Sequence, residues 1–275
     1  GIKRGELNAV AYTRGPGLLG SLLVGSSFAK GLSLSLEIPL IEVNHMEAHI
    51  LAHFIDDPKP VFPFLCLTVS GGHTQLVVVE DFLSMKIIGE TLDDAVGEAF
   101  DKSAKLLVFP YPGGPIIDQY AAKGDPTRFR FPPAETEGLS FSFSGIKTAI
   151  LYFLQKNVKD NDDFIQENME DICAGIQASL IDMLIAKLVQ ASEQTGIQEI
   201  AIAGGVSANS GLRERLKSEA DNRNWNIYIP AMEYCTDNAG MIAMAAYYKF
   251  RANNFAALDS TPSARLKINY ENESH

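Results

Sequence analysis

Glu199-Ile200-Ala201-Ile202-Ala203-Gly204-Gly205-Val206-Ser207-Ala208-Asn209 decides the fold class. Residues 199–203 read as a strand, and the glycine pair closes a turn. A helix follows from about Ser210. A strand this apolar on both faces belongs to a sheet covered on both sides. The pattern recurs near the start of the chain. Residues 8–12 read as a buried strand and enter Arg14-Gly15-Pro16-Gly17-Leu18-Leu19-Gly20, then an apolar helix through Leu34. Residues 39–43 form a second buried strand. Strand, turn and helix alternate, which makes the class α/β.

Between these ends the pattern changes. Residues 64–69, 73–79 and 86–89 read as strands of a hairpin-type sheet, with Ser70-Gly71-Gly72 as the first turn. Helices are expected over 93–107, 146–154 and 169–194. The last carries a four-spaced stripe of Ile172, Ile176, Leu180, Leu184 and Leu188. Residues 139–144 alternate apolar with serine and read as a half-buried strand. Residues 226–229 make a short strand and 236–250 the final helix, with Thr236 as its N-cap. Proline-rich 56–63 reads as a crossing between lobes, Tyr111-Pro112-Gly113-Gly114-Pro115 as a rigid turn, and 124–137 as an exposed excursion. The tail after Asn253 reads as frayed. The expected lobes are 1–63 plus about 236–275, and 64–235.

The chain has 275 residues, 46% of them hydrophobic and 21% charged, the proportions of a globular protein with a real core. No apolar run is read as long enough for a membrane span, so no membrane partner is expected. Cys66, Cys173 and Cys235 lie far apart in apolar settings and read as reduced, buried thiols of a cytoplasmic protein. A net charge of −11 gives the whole surface no general affinity for nucleic acid. An RNA substrate would need a local basic patch, such as Lys147 or Arg213, Arg215 and Lys217, or a basic partner.

Gly15-x-Gly17-x-x-Gly20 satisfies the dinucleotide fingerprint in spacing, but Pro16 has no N–H to offer a pyrophosphate. A tight turn with close packing is the preferred reading. Two other glycine turns, Thr68-Val69-Ser70-Gly71-Gly72 and Gly204-Gly205, present bare backbone N–H groups of the kind that cradle anions. With Gly113-Gly114 as a third, they point to a nucleotide held in a cleft between lobes. That arrangement resembles the actin, Hsp70 and sugar-kinase superfamily.

Asn44-His45-Met46-Glu47-Ala48-His49 supplies a different chemistry. Only five histidines occur, and three lie between His45 and His53. Histidines four apart on a helix share a face, roughly 6 Å between Cβ atoms, and can reach one divalent ion. A zinc protease would need H-E-x-x-H. Glu47 instead follows His45 by two, about 200° around the helix, so it is no general base there. His53 reads as a rim or core residue. No Ser-His-Asp or Cys-His set emerges, so a covalent intermediate is not expected and no catalytic base is named.

The motifs N-H-M-E-A-H, S-G-G-H-T-Q, G-E-A-F-D-K-S-A-K-L-L, Y-P-G-G-P, F-S-F-S-G-I-K-T, G-G-V-S-A-N-S-G-L-R and C-T-D-N-A-G-M-I-A together resemble the tRNA threonylcarbamoyladenosine transferase family. The match runs from about Asn8 to Phe250. The resemblance implies an actin-like (ASKHA) two-lobed fold of mixed sheets flanked by helices. It implies transfer of threonylcarbamoyl from threonylcarbamoyl-AMP to N6 of the adenosine 3′ of the anticodon. It also implies Asp237 as third ligand, with His45 and His49, to iron or zinc; without the resemblance Asp237 reads as a charge at a helix start. Thr68, Val69, Ser70, Gly71 and Gly72 would line the phosphate and acyl part of an adenylate, or ATP or ADP. Asp101, Gly114, Asp118 and Asn209 would meet its nucleoside; without the resemblance, Asp101 is one charge on a solvated helix face. Implied partners are tRNA, a paralogous non-catalytic protein and a small ATPase. The family's N-terminal hairpin, with an E-T-S-C-D-E-like loop, has no counterpart here, so the chain reads as N-terminally truncated. Two alternatives stay open, an actin-fold ATPase or phosphotransferase and a non-catalytic scaffold.

Overall fold

The computed structural model describes residues 3–132 and 136–268. In chain order its elements are β1 (Val10–Gly15), α1 (Leu19–Leu36), β2 (Leu40–Asn44), α2 (His45–Leu51), β3 (Phe64–Val69), β4 (Thr74–Asp81), β5 (Ser84–Glu90), α3 (Val96–Leu106) and α4 (Gly114–Ala121). There follow α5 (Ser144–Val158), α6 (Phe164–Glu167), α7 (Met169–Thr195), β6 (Glu199–Ala203), α8 (Ser210–Arg223), β7 (Asn226–Tyr228), α9 (Met232–Cys235) and α10 (Ala239–Arg251). Two compact units result: Gly1–Pro63 with Val79–Lys86 and Pro230–His275, and Phe64–Val78 with Ile87–Ile229.

In the first unit β1 and β2 pair in parallel, Val10 opposite Leu40 and Thr13 opposite Val43. α1 makes the crossover and stops because Glu37 turns left-handed, φ 55°, sending its N–H back to Ser33 and Leu34. At the junction with α1, the Gly15 backbone lies against the Ser263 carbonyl and leaves no room for a Cβ. The packing reading of that turn therefore holds, and Gly17 N–H is spent on Ala264 O at 3.3 Å. β2 passes into α2 without a loop. Asn44 makes this possible: its Oδ1 accepts from Met46 N–H at 2.9 Å and Glu47 N–H at 3.4 Å.

In the second unit the sheet order is β5-β4-β3-β6-β7, with β3–β6 and β6–β7 parallel. All six residues of β3 are buried, as a central strand requires. α7 packs its predicted stripe inward: Ile172, Ile176, Leu180, Leu184 and Leu188 are all fully buried. Each such side chain contributes about 1.5–3 kcal/mol of burial.

Five expectations change. Residues 139–144 form only an isolated bridge, Thr91 to Phe141, before α5 starts at Ser144. The alternation arises because Phe141 and Phe143 enter the core while the Ser142 and Ser144 hydroxyls donate to the Asp93 carboxylate, at 2.6 and 2.7 Å. The final helix starts at Ala239, and Asn238 rather than Thr236 caps it, accepting from Met241 N–H at 2.8 Å. The turn at 111–115 opens directly into α4, where Pro115 sits in the first turn. The excursion buries Phe131, although its residues 133–135 lie outside the described set. The tail is packed, not frayed, through Ile268; residues 269–275 lie outside the described set. In addition, α1 and α7 are both long and apolar enough by composition to cross a membrane, with mean hydropathies of 1.2 and 1.7. α7 passes because it is the core helix of its unit.

Asp93 carries a pH dependence. Burial pushes its carboxyl up, but the hydroxyls of Ser142 and Ser144 and the Phe143 N–H, at 2.8 Å, together outweigh that and hold it below the usual carboxylate range. A group depressed by folding adds stability above its unfolded pKa, about 3.9, and loses that contribution as pH falls through the folded value. Asp93→Asn is therefore expected to unfold more easily than the parent at pH 7, with the gap closing below about pH 4. Solvent screening at this exposed site keeps the gap on the order of 0.5 kcal/mol. Urea titrations of both proteins at pH 7 and pH 3 measure it; a constant gap would refute the assignment.

Candidate functional site

His45 is the first residue of α2 and His49 lies one turn on. Their rings meet edge to face, centroids 4.8 Å apart. Asp237 precedes the cap of α10, and its Oδ1 lies 3.2 Å from His45 Nε2 and 3.3 Å from His49 Nε2. The His49 side chain is 2% exposed, His45 21% and Asp237 79%, so the cluster has a buried floor and an open mouth. Hydrogen bonds from His45, then His49, hold the Asp237 carboxyl well below the ordinary range despite partial burial.

The dimensions fit an ion. Donors at about 2.1 Å from a tetrahedral centre stand about 3.4 Å from one another. Both nitrogen–oxygen distances meet that spacing, and the three donor atoms all lie within 4.8 Å of one another. Two imidazoles and a carboxylate suit a first-row divalent ion and leave coordination positions for other oxygens. Among the described residues no other group of three such side chains converges. Glu47 stays outside the cluster, and His53 is buried at 7% exposure away from it. One feature departs from ordinary metal sites: His49 Nδ1 is buried without a hydrogen-bond partner. Ligand histidines usually donate that N–H to an acceptor that orients the ring.

The residues expected to meet a nucleotide lie within the second unit. The turn after β3 is tied by Ser70, whose Oγ accepts from His73 N–H at 3.0 Å and Gly72 N–H at 3.4 Å. Gly71 and Gly72 are exposed with open space beside them. Two other glycines press on this turn. A Cβ at Gly97, in the first turn of α3, would stand 2.6 Å from Ser70 O, and one at Gly204 2.6 Å from Val69 O. Asp101 does not pair with Lys105. Its Oδ1 accepts from Gly113 N–H (2.8 Å) and Gly114 N–H (3.2 Å), fixing the start of α4. Lys102 takes the ion pairs of that face, with Asp94 and Glu98. Asp118, one turn into α4, accepts from Ser210 N–H at 3.0 Å and Ser210 Oγ–H at 2.7 Å. Asn209 caps α8 through Leu212 N–H at 2.9 Å and donates to Gln177 Oε1 at 2.7 Å.

Thus Asp101 meets Gly114, Asp118 reaches the residue after Asn209, and the Thr68–Gly72 turn touches Gly97 and Gly204. Thr68 itself is buried, its hydroxyl turned to Gln75 O at 3.4 Å, so only the later part of that turn is accessible. Gln177, Ser210 and Gly97 escaped the sequence reading. Ser210 had a visible signal, since it directly follows Asn209. Gln177 had none, lying 32 positions away on α7. Of the basic residues, Arg213 donates to Ser207 O at 2.7 Å and Arg215 pairs with Glu219 at 3.1 Å, which reduces what they offer to RNA. The three cysteines are free and buried, and burial pushes the Cys173 thiol up to about 12.

The sequence profile of TsaD, tRNA N6-adenosine threonylcarbamoyltransferase, matches residues 1–244. The chain belongs to this family. A tRNA N6-adenosine threonylcarbamoyltransferase of Cytophaga hutchinsonii is 59% identical over 267 residues, 97% of this chain and 78% of that protein. The protein of the same name from Christiangramia forsetii is 57% identical over 97% of this chain and 79% of its own length. The one from Kosmotoga olearia is 47% identical, over 97% and 79%. Among solved structures, HypF of T. kodakarensis matches with a TM-score of 0.65 at 12% identity, over 94% of this chain and 42% of its own. Component A of the (R)-2-hydroxyglutaryl-CoA dehydratase of Acidaminococcus fermentans matches with a TM-score of 0.54 at 16% identity, over 91% and 79%. These likenesses establish the actin-like α/β fold of a threonylcarbamoyltransferase-family chain.

Proposed function

We propose that this chain transfers a threonylcarbamoyl group from threonylcarbamoyl-AMP to N6 of the adenosine 3′ of the anticodon in tRNA. Family membership over nine-tenths of the chain carries this reading. The convergence of His45, His49 and Asp237 supports a metal-dependent version of it. Iron and zinc both suit the donor set.

The transfer is an acyl substitution. The N6 amine attacks the carbamoyl carbon, the C–N bond forms, and the C–O bond to phosphate breaks with AMP taking the electron pair. An N6 proton is released. A mixed anhydride is already activated, so the protein chiefly binds, orients and neutralises. In the second unit the exposed turn at Gly71 and Gly72, with open space beside both glycines, would receive the phosphate, the Gly71 N–H donating to it. Asp101 Oδ1 is spent on Gly113 and Gly114, which leaves Oδ2 to accept from a ribose hydroxyl. Gly114, with only Phe100 Cβ nearby at 3.6 Å, leaves room for the nucleoside. Asn209 is held by Gln177 and its own cap, so it would present a fixed edge rather than a mobile amide. In the first unit His45, His49 and Asp237 would hold one divalent ion, which supplies Lewis acidity and a template for acyl or carboxylate oxygens.

The acidic balance fits an enzyme that gains RNA affinity from companions, which we take to be the family's paralogous non-catalytic partner and small ATPase. The test is incubation of the chain with threonylcarbamoyl-AMP, unmodified tRNA, divalent metal and those partners, then mass spectrometry of the nucleosides. Formation of threonylcarbamoyladenosine is expected; its absence with every component present would reject the proposal. Release of inorganic phosphate from ATP instead would favour an actin-fold ATPase, and neither product would favour a scaffold.

A further inference from the structure

The segment from residue 256 to residue 268 runs along β1 and β2, from Leu40 at the start of β2 to Asn44 at its end. Ala256 N–H donates to Leu40 O at 2.8 Å, and Ser263 N–H donates to Arg14 O at 2.9 Å. Ser260 hydrogen-bonds both Tyr12 and Glu42, and its carbonyl accepts from Lys30 Nζ at 2.5 Å. Arg14 Nε–H donates to Thr261 O at 3.1 Å. Leu266 and Ile268 are each 8% exposed. The strap ends at α2, where Asn44 Nδ2–H donates to Lys267 O at 2.8 Å.

Asn44 therefore uses both ends of one carboxamide. Oδ1 closes the first turn of α2, and Nδ2 ties that turn to the strap. The next residue is His45. Among the described residues neither imidazole has the usual orienting acceptor: His49 Nδ1 is unpartnered, and the His45 ring bonds only Asp237. His49 is gripped by its burial. His45 sits on the first, least restrained turn of a seven-residue helix, where fraying begins. Its place depends on where the start of α2 is held.

We propose that Asn44, through its bond to the strap at Lys267, is the positioning residue of the metal site, fixing the backbone of His45 in place of a hydrogen bond to the ring. This rests on the metal reading given above. Outer-shell groups that orient ligands typically matter tenfold to a hundredfold in metal affinity.

Asn44→Ser separates the two bonds. Serine is as good an N-cap as asparagine but is too short to reach the strap. Zinc affinity is measured with a competing chelator, at a temperature where thermal melts show each protein fully folded. A residue that merely stabilises the fold lowers the melting temperature and leaves the affinity of the folded protein unchanged. The expectation is zinc binding at least tenfold weaker in Asn44→Ser. Affinity within twofold of the parent would overturn the proposal. Leu266→Ala loosens the strap without touching α2 and is expected to weaken zinc in the same direction; it stands in if Asn44→Ser fails to fold. His45→Ala in parallel keeps the two ideas apart. If the parent binds no zinc that depends on His45, the metal reading fails and the proposal with it. If it does and the Asn44 and Leu266 variants bind equally well, only the positioning role fails.

Discussion

Metal bound to the purified protein is expected to fall from about one ion per chain to background when His45 and His49 are both replaced by alanine. Two of three protein ligands go, and the surviving Asp237 is an exposed carboxylate that alone holds a first-row ion only weakly. An affinity loss of at least a thousandfold, about 4 kcal/mol, is a conservative figure for removing two ligands. Transfer to tRNA should fall with it. The fold should survive, since α2 keeps its Asn44 cap and its buried Met46, Ala48, Ile50 and Leu51. His49→Ala leaves a small cavity, but it also removes a buried nitrogen that has no partner. Metal analysis after dialysis, beside a thermal melt, decides the matter. A double variant that keeps the parent's metal content would show that the three side chains form only a hydrogen-bonded cluster.

How much of this was legible in the sequence depended on whether the signal was local. The His45 and His49 pair is local: its spacing is the helical repeat, and the N-cap asparagine directly precedes it. The strand at Glu199–Ala203 and the stripe on α7 were legible for the same reason, since burial on one face leaves a period. Asp237 was not, because nothing within its own neighbourhood distinguishes a ligand from a charge at a helix start. Even that helix start was displaced: Thr236 and Asn238 are both good caps, and only the bond to Met241 N–H selects the second. Residues 139–144 misled because two phenylalanines entering a core and two serines capping Asp93 produce the alternation of a strand. Gln177 and the strap at residues 256–268 act across long separations with ordinary residue types, so no pattern announces them.

The four glycines of the two anion turns look alike in sequence, and the structure separates them into opposite expected phenotypes. Gly204 has φ +92°, in the region L-residues avoid, and a Cβ there would stand 2.6 Å from Val69 O. Val69 ends the fully buried β3, which cannot retreat without disturbing β4 and β6 on either side. Gly204→Ala is therefore expected to destabilise the second unit by about 3 kcal/mol or more, the left-handed backbone alone costing about 1–2 kcal/mol. Its neighbour is the control: Gly205 has open space and no positive φ, so Gly205→Ala should change stability by less than about 1 kcal/mol. Gly71 and Gly72 also have open space and ordinary φ, so alanine there should be tolerated or slightly stabilising. Yet the methyl group would occupy the space a phosphate needs to approach this turn. Urea titration and calorimetric binding of ADP, run on all four variants, should give a crossed result. Gly204→Ala loses stability, while Gly72→Ala keeps it and binds ADP at least tenfold more weakly. ADP binding by Gly71→Ala and Gly72→Ala equal to the parent's would remove this turn from the nucleotide site, and a Gly204→Ala protein as stable as the parent would mean that the Val69 carbonyl yields more readily than a central strand should.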